Sequence, residues 1–298
     1  MKCPNCGTEN LDGARFCTGC GAPLAGGVPG PAAPPPAAPP AVPIDLPGGT
    51  VTATGTSAAG LRYQIIGTTL QAIVLELQVG QVVYSEAGAM SWMSGNVQMQ
   101  ATSGGGLGKM LGRLVTGESL FVVDYTCTGG TGLLAFANEF PGKIAPIQLA
   151  PGQAIVVQKD AFMCAEKSVQ MEVHWQKRLG AGFFGGEGFL LQRLIGPGLL
   201  FAELDGEIVE YTLDPNQVLR VDPGHVAMFE PTVDFDIEMV RGIKTILFGG
   251  EGLFLARLRG PGRIWLQTMP MMNLVHTVAR YLPRQKSGGG GFQISLGG

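Results

Sequence analysis

From Leu61 onward, apolar and polar positions follow the period of a strand. Tyr63, Ile65 and Gly67 alternate with other residues, Leu70-Gln71-Ala72-Ile73-Val74-Leu75-Glu76-Leu77 reads as one strand, and Val82-Val83-Tyr84 follows after Gly80. Runs of this kind, broken by glycine or proline, recur about every 8–12 residues as far as Gln267, the rhythm of a sandwich or barrel-like fold. One segment departs from it. Leu274, Val278 and Leu282 stand at i, i+4 and i+8 with Val275 and Ala279 beside them, which predicts a short helix stopped by Pro283. Residues 284–298 form a glycine-rich tail, Gly288 to Gly291 and onward, with an apolar tip at Phe292 and Ile294.

Within the strand-patterned region, phrases repeat. Gly117-Glu118-Ser119-Leu120-Phe121, Gly186-Glu187-Gly188-Phe189-Leu190 and Gly250-Glu251-Gly252-Leu253-Phe254 are three copies whose glutamates lie 69 and then 64 residues apart. A second phrase precedes each: Glu86-Ala87-Gly88-Ala89-Met90, Gln158-Lys159-Asp160-Ala161-Phe162 and Asp222-Pro223-Gly224-His225-Val226, offset by 72 and 64. Two phrases repeating together predict a unit of about 65 residues, too small to bury its apolar face except against its neighbours. The expectation is three β units closing into one body over residues 61–283. The repeated Gly-Glu reads as a structural anchor at a turn or bulge.

The N-terminal part has a different character. Cys3-Pro4-Asn5-Cys6-Gly7 and Cys17-Thr18-Gly19-Cys20-Gly21 make a C-x2-C-x10-C-x2-C pattern over residues 1–22. Two such knuckles supply four thiolates in a tetrahedron, the structural zinc arrangement, which leaves no open position for a substrate. With only Leu11 and Phe16 as core side chains, a unit this small needs its metal to fold. The expectation is one structural Zn²⁺ per chain on Cys3, Cys6, Cys17 and Cys20. From Pro23 to Pro47, ten of 25 residues are proline; this run and residues 48–60 read as a flexible linker, residues 23–60 in all.

Composition narrows the function classes. The chain has 298 residues, 45% apolar and 14% charged, with 47 Gly and 21 Pro, so a mostly helical fold is excluded. A net charge of -3 argues against a polybasic nucleic-acid wrapper. No apolar run long enough for a signal sequence stands near the start, and no stretch reads as a transmembrane helix. Paired cysteines without an export signal point to a reducing, cytoplasmic location.

The other chemically capable residues are scattered. Cys127 and Cys164 stand alone and read as buried thiols, while His174, His225 and His276 form no metal-binding spacing. Gly104-Gly105-Gly106-Leu107-Gly108-Lys109-Met110 lacks the phosphate-loop order, since Met110 stands where a hydroxyl is needed. Phe183-Phe184 and Ile246-Leu247-Phe248 read as apolar loop contacts for assembly or a membrane surface.

Gly88-Ala89-Met90-Ser91-Trp92-Met93, Gly117-Glu118-Ser119-Leu120-Phe121, Phe248-Gly249-Gly250-Glu251-Gly252-Leu253-Phe254 and Gly260-Pro261-Gly262-Arg263-Ile264-Trp265-Leu266-Gln267-Thr268 resemble the family named for altered inheritance of mitochondria, number twenty-four, over about residues 61–283. The N-terminal unit resembles a common prokaryotic zinc ribbon. The resemblance implies short double-stranded β-helix units similar to the tryptophan-attenuator RNA-binding protein, repeated in one chain, and compact oligomers. It carries no catalytic residue onto this sequence.

The combined expectation is an all-β protein of three repeated units plus a zinc ribbon. It acts as a non-enzymatic scaffold or adaptor, a homo-oligomer (trimer or dimer) that recruits a protein partner through the ribbon, with peripheral membrane contact as a further role. Two alternatives stand beside it. One is RNA binding, weakened because residues 1–22 hold only Lys2 and Arg15 as basic residues. The other is an enzyme whose site forms between repeats from residues such as Glu118, Asp160 or His225.

Overall fold

The structure is a computed structural model that describes residues 1–4, 6–11, 14, 17–19, 24, 46, 48–103, 121–177, 189–239 and 254–281. The chain divides into two compact units, Met1–Pro39 and Pro40–Gly298. In the first, an isolated bridge joins Lys2 and Glu9. Its described core is Cys3, Cys17 and Leu24 with Ala14 against them. Leu11, expected in that core, is 87% exposed instead. The sulfurs and Leu24 fill so small an interior, and Phe16 lies outside the described residues.

The second unit is built of antiparallel strands. In chain order they are β1 (Val51–Thr56), β2 (Arg62–Ile66), β3 (Ala72–Gln78), β4 (Val82–Glu86), β5 (Trp92–Met93), β6 (Val97–Ser103), β7 (Phe121–Cys127), β8 (Thr131–Ala137), β9 (Gly142–Leu149) and β10 (Ala154–Gln158). There follow β11 (Phe162–Glu166), β12 (Gln170–Lys177), β13 (Phe189–Ile195), β14 (Gly198–Asp205), β15 (Ile208–Leu213), β16 (Val218–Val221), β17 (Val226–Phe229), β18 (Asp234–Met239), β19 (Phe254–Arg259) and β20 (Gly262–Gln267). One helix, α1 (Met271–Tyr281), comes last among the described residues. The sheets run β1-β2-β3-β8-β5, β6-β7-β4-β11-β14-β9, β12-β13-β10-β17-β20-β15 and β16-β19-β18.

In β3 the sequence pattern and burial agree. The near-continuous apolar run of β3 lies between β2 and β8 and is buried along most of its length, as expected of a strand covered on both faces. Three apolar clusters fill the interior, around Tyr125 and Phe136, around Leu200 and Val157, and around Phe229 and Leu258. Phe235 stacks on both Phe189 and Phe229 at 5.6 and 5.4 Å between ring centres.

Residues 51–56 correct the expected linker boundary. They form β1, paired with β2 from Val51↔Ile66 to Thr56↔Arg62. The segment reads as linker because it is rich in Gly, Ala and Thr. Its glycine has a packing reason, however: a Cβ at Gly55 would fall 2.5 Å from the Tyr63 ring, so only glycine lets that ring cross the strand.

One turn recurs three times. Gly80, Gly152 and Asn216 adopt positive φ of 82, 76 and 69°. The glutamine after each, Gln81, Gln153 or Gln217, accepts from the backbone N–H three residues earlier at 2.8, 3.0 and 2.8 Å. Lys159–Ala161 and Pro223–His225, in the second repeated phrase, are both single 3-10 turns. Strands from different thirds of the chain interleave, with β4 between β7 and β11, and the four sheets are unequal. The glutamates Glu118, Glu187 and Glu251, the apolar residues Phe183, Phe184 and 246–248, and Lys109 all lie outside the described residues.

Candidate functional site

The metal-ligating residues come first because the sequence singles them out. The sulfurs of Cys3, Cys6 and Cys17 all lie within 4.8 Å of one another, with Cys6 Sγ and Cys17 Sγ 3.5 Å apart. A tetrahedral zinc with bonds of about 2.3 Å sets its sulfurs roughly 3.8 Å apart, so the three thiols fit the ion. Local backbone puts them there. Gly7 takes a φ of +75°, and its N–H closes on the Cys3 carbonyl at 2.9 Å. Donors surround the buried Cys17 sulfur, namely the Gly19 N–H at 3.3 Å and Asn10 Nδ2 at 3.5 Å. Asn10 Oδ1 in turn accepts from the Thr18 N–H at 2.8 Å, holding the second knuckle on the first. The fourth expected ligand, Cys20, lies outside the described residues.

Among the described residues of the β unit, the scattered candidates form no cluster of three or more metal-ligating side chains. Cys127 and Cys164 are buried at 1% and 0% exposure, and burial pushes the Cys164 thiol well up. His225 binds the Gln267 carbonyl through Nδ1 at 2.7 Å and Asn273 Nδ2 through Nε2 at 3.2 Å. Asp160 accepts from Gln158 Nε2 at 3.1 Å. His174 sits exposed on β12.

Several polar groups that the sequence did not single out tie strands together, some of them buried. Glu166, 7% exposed, accepts from the Leu199 N–H at 2.7 Å and from Ser57 Oγ at 2.5 Å. Its counterpart Glu230 accepts from the Arg263 N–H at 3.0 Å and from Arg263 Nε at 2.8 Å. Burial works to raise Glu230, but the Arg263 backbone and guanidinium outweigh it and hold the carboxyl below the usual range. Glu203 goes the other way. Burial, then the neighbouring carboxylates Glu139, Asp205 and Asp160, push it up to about 8 against one opposing hydrogen bond from the Glu139 backbone. A glutamate inside the apolar run of β14 is the only sequence signal that could have found it.

Among the described residues, a groove of about 440 Å³ lies between β9 and the sheet that carries β10, β15, β17 and β20. Its lining includes Ile147, Gln148 and Leu149 of β9, Ile155 of β10, Met228 of β17, Ile208 and Glu210 of β15, and Trp265 of β20. Trp265 is held on both sides, by its indole N–H donating to Glu210 Oε2 at 2.8 Å and by the Arg263 guanidinium 5.1 Å over its ring. Gln148, Gln153, Glu210, Glu230 and Arg263 stand among the apolar residues of the lining, so its polarity is mixed. The sequence does not reveal it, because its lining comes from β9, β10, β15, β17 and β20.

Comparison with known proteins gives two family matches. Residues 63–269 match the family described as mitochondrial biogenesis AIM24, and residues 2–24 match a zinc-ribbon domain. An uncharacterized protein of Streptococcus pyogenes serotype M6 is 32% identical over 219 residues, 71% of this chain and 86% of that protein. A crystal structure of a protein from Streptococcus pyogenes aligns with a TM-score of 0.60 at 28% identity, over 74% of this chain and all of that one.

Proposed function

The chain belongs to the mitochondrial biogenesis AIM24 family, and on that premise we propose that it is a non-enzymatic scaffold or adaptor whose β body assembles with copies of itself and carries a zinc ribbon. One structural Zn²⁺ per chain sits on Cys3, Cys6, Cys17 and Cys20. The ribbon, on its proline-rich tether, recruits a protein partner, raising the local concentration of that partner near the body. The protein works in the cytoplasm, where reduced thiols remain available to the metal.

The observation that carries this reading is the outward face of α1. Val275 and Val278 are 45% and 49% exposed and Tyr281 is 84% exposed, one apolar stripe at helical spacing that no described element covers. Among the described residues, no helix is long and apolar enough to cross a membrane. A second copy is the occupant that suits this stripe, as a dimer or trimer. Light scattering on the full chain tests it. The wild type is expected to give an oligomeric mass across micromolar concentrations, and Val275→Asp/Val278→Asp to give a monomer with unchanged β signal. A monomeric wild type would refute assembly, and an unchanged mass in the variant would move the interface off α1.

A further inference from the structure

Two joints between successive stretches of the β unit use one pairing. β4 receives β11 with Ala165 opposite Tyr84, and β10 receives β17 with Phe229 opposite Val156. β16 and β5 are the strands that would make a third such joint. Among the described residues, β16 pairs only with β19 and β5 only with β8. We propose that β16 of one copy receives β5 of a second copy, Arg220 opposite the partner's Met93 and Val221 opposite the partner's Trp92, so that chains join head to tail. The proposal rests on the reading of the protein as a self-assembling body and names a contact for that assembly.

Register is the first support. Tyr84, Val156 and Arg220 lie 72 and 64 residues apart and stand opposite Asp124 of β7, Arg193 of β13 and Arg257 of β19. Met93, Ala165 and Phe229 have the same 72 and 64 spacing and stand opposite Leu134 of β8, Leu200 of β14 and Ile264 of β20. β16 and β5 thus hold, each in its own sheet, the places that their counterparts hold in the two joints that form. Tyr84↔Ala165 and Val156↔Phe229 put Arg220 opposite Met93, and Val157↔Met228 puts Val221 opposite Trp92.

Exposure is the second. β11 and β17 are buried along their whole length, whereas Trp92 of β5 is 45% exposed and Val218 of β16 is 43% exposed. Within one chain, then, these two edges do not cover each other. Cys164 and Met228, the counterparts of Trp92, each cross their joint into the apolar cluster behind the receiving strand, Cys164 beside Val83 and Met228 beside Val157. Behind β16 the corresponding cluster is that of Phe229 and Leu258, against which Leu219 and Val221 are only partly buried. A half-exposed tryptophan is the side chain that most often anchors an interface once such a site takes it up.

The edges also fit chemically. β16 is Val-Leu-Arg-Val, with no proline to break a new ladder. Arg220 stands where Tyr84 and Val156 stand, and its Nε reaches Glu238 Oε2 at 3.1 Å. That pairing keeps the guanidinium at the surface while the aliphatic stem covers the partner's Met93. Because the two edges are unlike, the contact is heterologous, and a closed ring of copies leaves no such edge unpaired. A joint on a four-residue strand is short, so it and the stripe of α1 act together, and weakening either lowers the assembled mass.

Disulfide trapping tests the joint. Residues directly opposite across antiparallel strands have Cα atoms about 4.5–5.5 Å apart, within reach of a disulfide. Full-length chains carrying Met93→Cys and Arg220→Cys separately are co-expressed, purified, mildly oxidised and mapped by peptide mass spectrometry. A covalent pair of chains linked through positions 93 and 220 is the expected product. Full-length Trp92→Asp is expected to associate about tenfold more weakly in light scattering, with unchanged β circular dichroism. An oligomer that yields no link between these positions would overturn the joint and leave the assembly reading in place. A chain carrying both cysteines that bridges within itself would overturn it as well, because its own β5 would then close the edge. A monomeric wild type would overturn the joint and the assembly reading together.

Discussion

Glu166 shows how a single buried carboxylate can serve the fold and not a reaction. It joins Ser57 to Leu199 across 109 residues of sequence on one side and 33 on the other. Removing the acceptor leaves a buried N–H and hydroxyl unpaired, each worth about 1–3 kcal/mol. Glu166→Ala is expected to lower stability by about 2–4 kcal/mol in chemical denaturation, and Glu166→Gln, which keeps one acceptor, by less. Glu203 makes the opposite prediction about pH. Its carboxyl titrates near 8 in the fold against an ordinary 4.5, so between those values the unfolded chain has released the proton and the folded chain still holds it. Stability therefore falls as pH rises across that window. Glu203→Gln is expected to raise the melting temperature at pH 8 and leave it nearly unchanged at pH 4.5. A uniform shift at both would assign the effect to packing rather than to charge. The chain pattern marks β14 as a strand at this position. It shows Asp205 two positions on in the same strand but not Glu139 and Asp160, which come from other parts of the chain.

At the scale of elements, the strand-to-strand turns are the most constrained parts. Gly198 opens β14 at a φ of +144°, and a Cβ there would meet Ser168 Oγ at 2.6 Å and Val169 Cγ2 at 2.7 Å. Gly262 opens β20 at +142° against Thr232 Oγ1 at 2.5 Å and Val233 Cγ2 at 2.8 Å. Val169 is 2% exposed and cannot move aside. Gly198→Ala is expected to cost about 2–3 kcal/mol through overpacking and backbone strain, read from the denaturation midpoint. A surface Gly→Ala at Gly129, which meets nothing within 4 Å, serves as the neutral control. These glycines stand in the Gly-Pro-Gly phrases legible in the sequence. Their collision partners are not legible, because Ser168 and Val169 reach Gly198 only through the pairing of β11 with β14.

The whole molecule divides into a unit held by sulfur chemistry and a unit held by apolar burial. The described core of the first is three residues, Cys3, Cys17 and Leu24, too small to fold on transfer free energy alone. Metal removal is therefore expected to unfold the ribbon and leave the β unit in place. Freshly purified, reduced protein should contain one zinc per chain by elemental analysis. Cys17→Ser should release it while the β circular dichroism and the main unfolding transition stay unchanged. Absence of metal from the reduced protein would sink the zinc assignment, and loss of the β signal on chelation would show that the two units do not fold independently.

Local rules account for what the chain alone determines here. Alternation from Leu61 predicts strands, the i, i+4 stripe after Leu274 predicts α1, and C-x2-C spacing brings Cys3, Cys6 and Cys17 together, because each signal depends on residues a few positions apart. β1 escaped that reading, since Gly55 looks like a linker residue until Tyr63 is seen to cross it. The groove, the exposed edges of β5 and β16, the counterpart roles of Glu166 and Glu230 and the exposed stripe of α1 were decided only by tertiary structure. They depend on which strands become neighbours and in what register. That choice is made by burying three apolar clusters at once, a balance over distant residues that no local window of sequence contains.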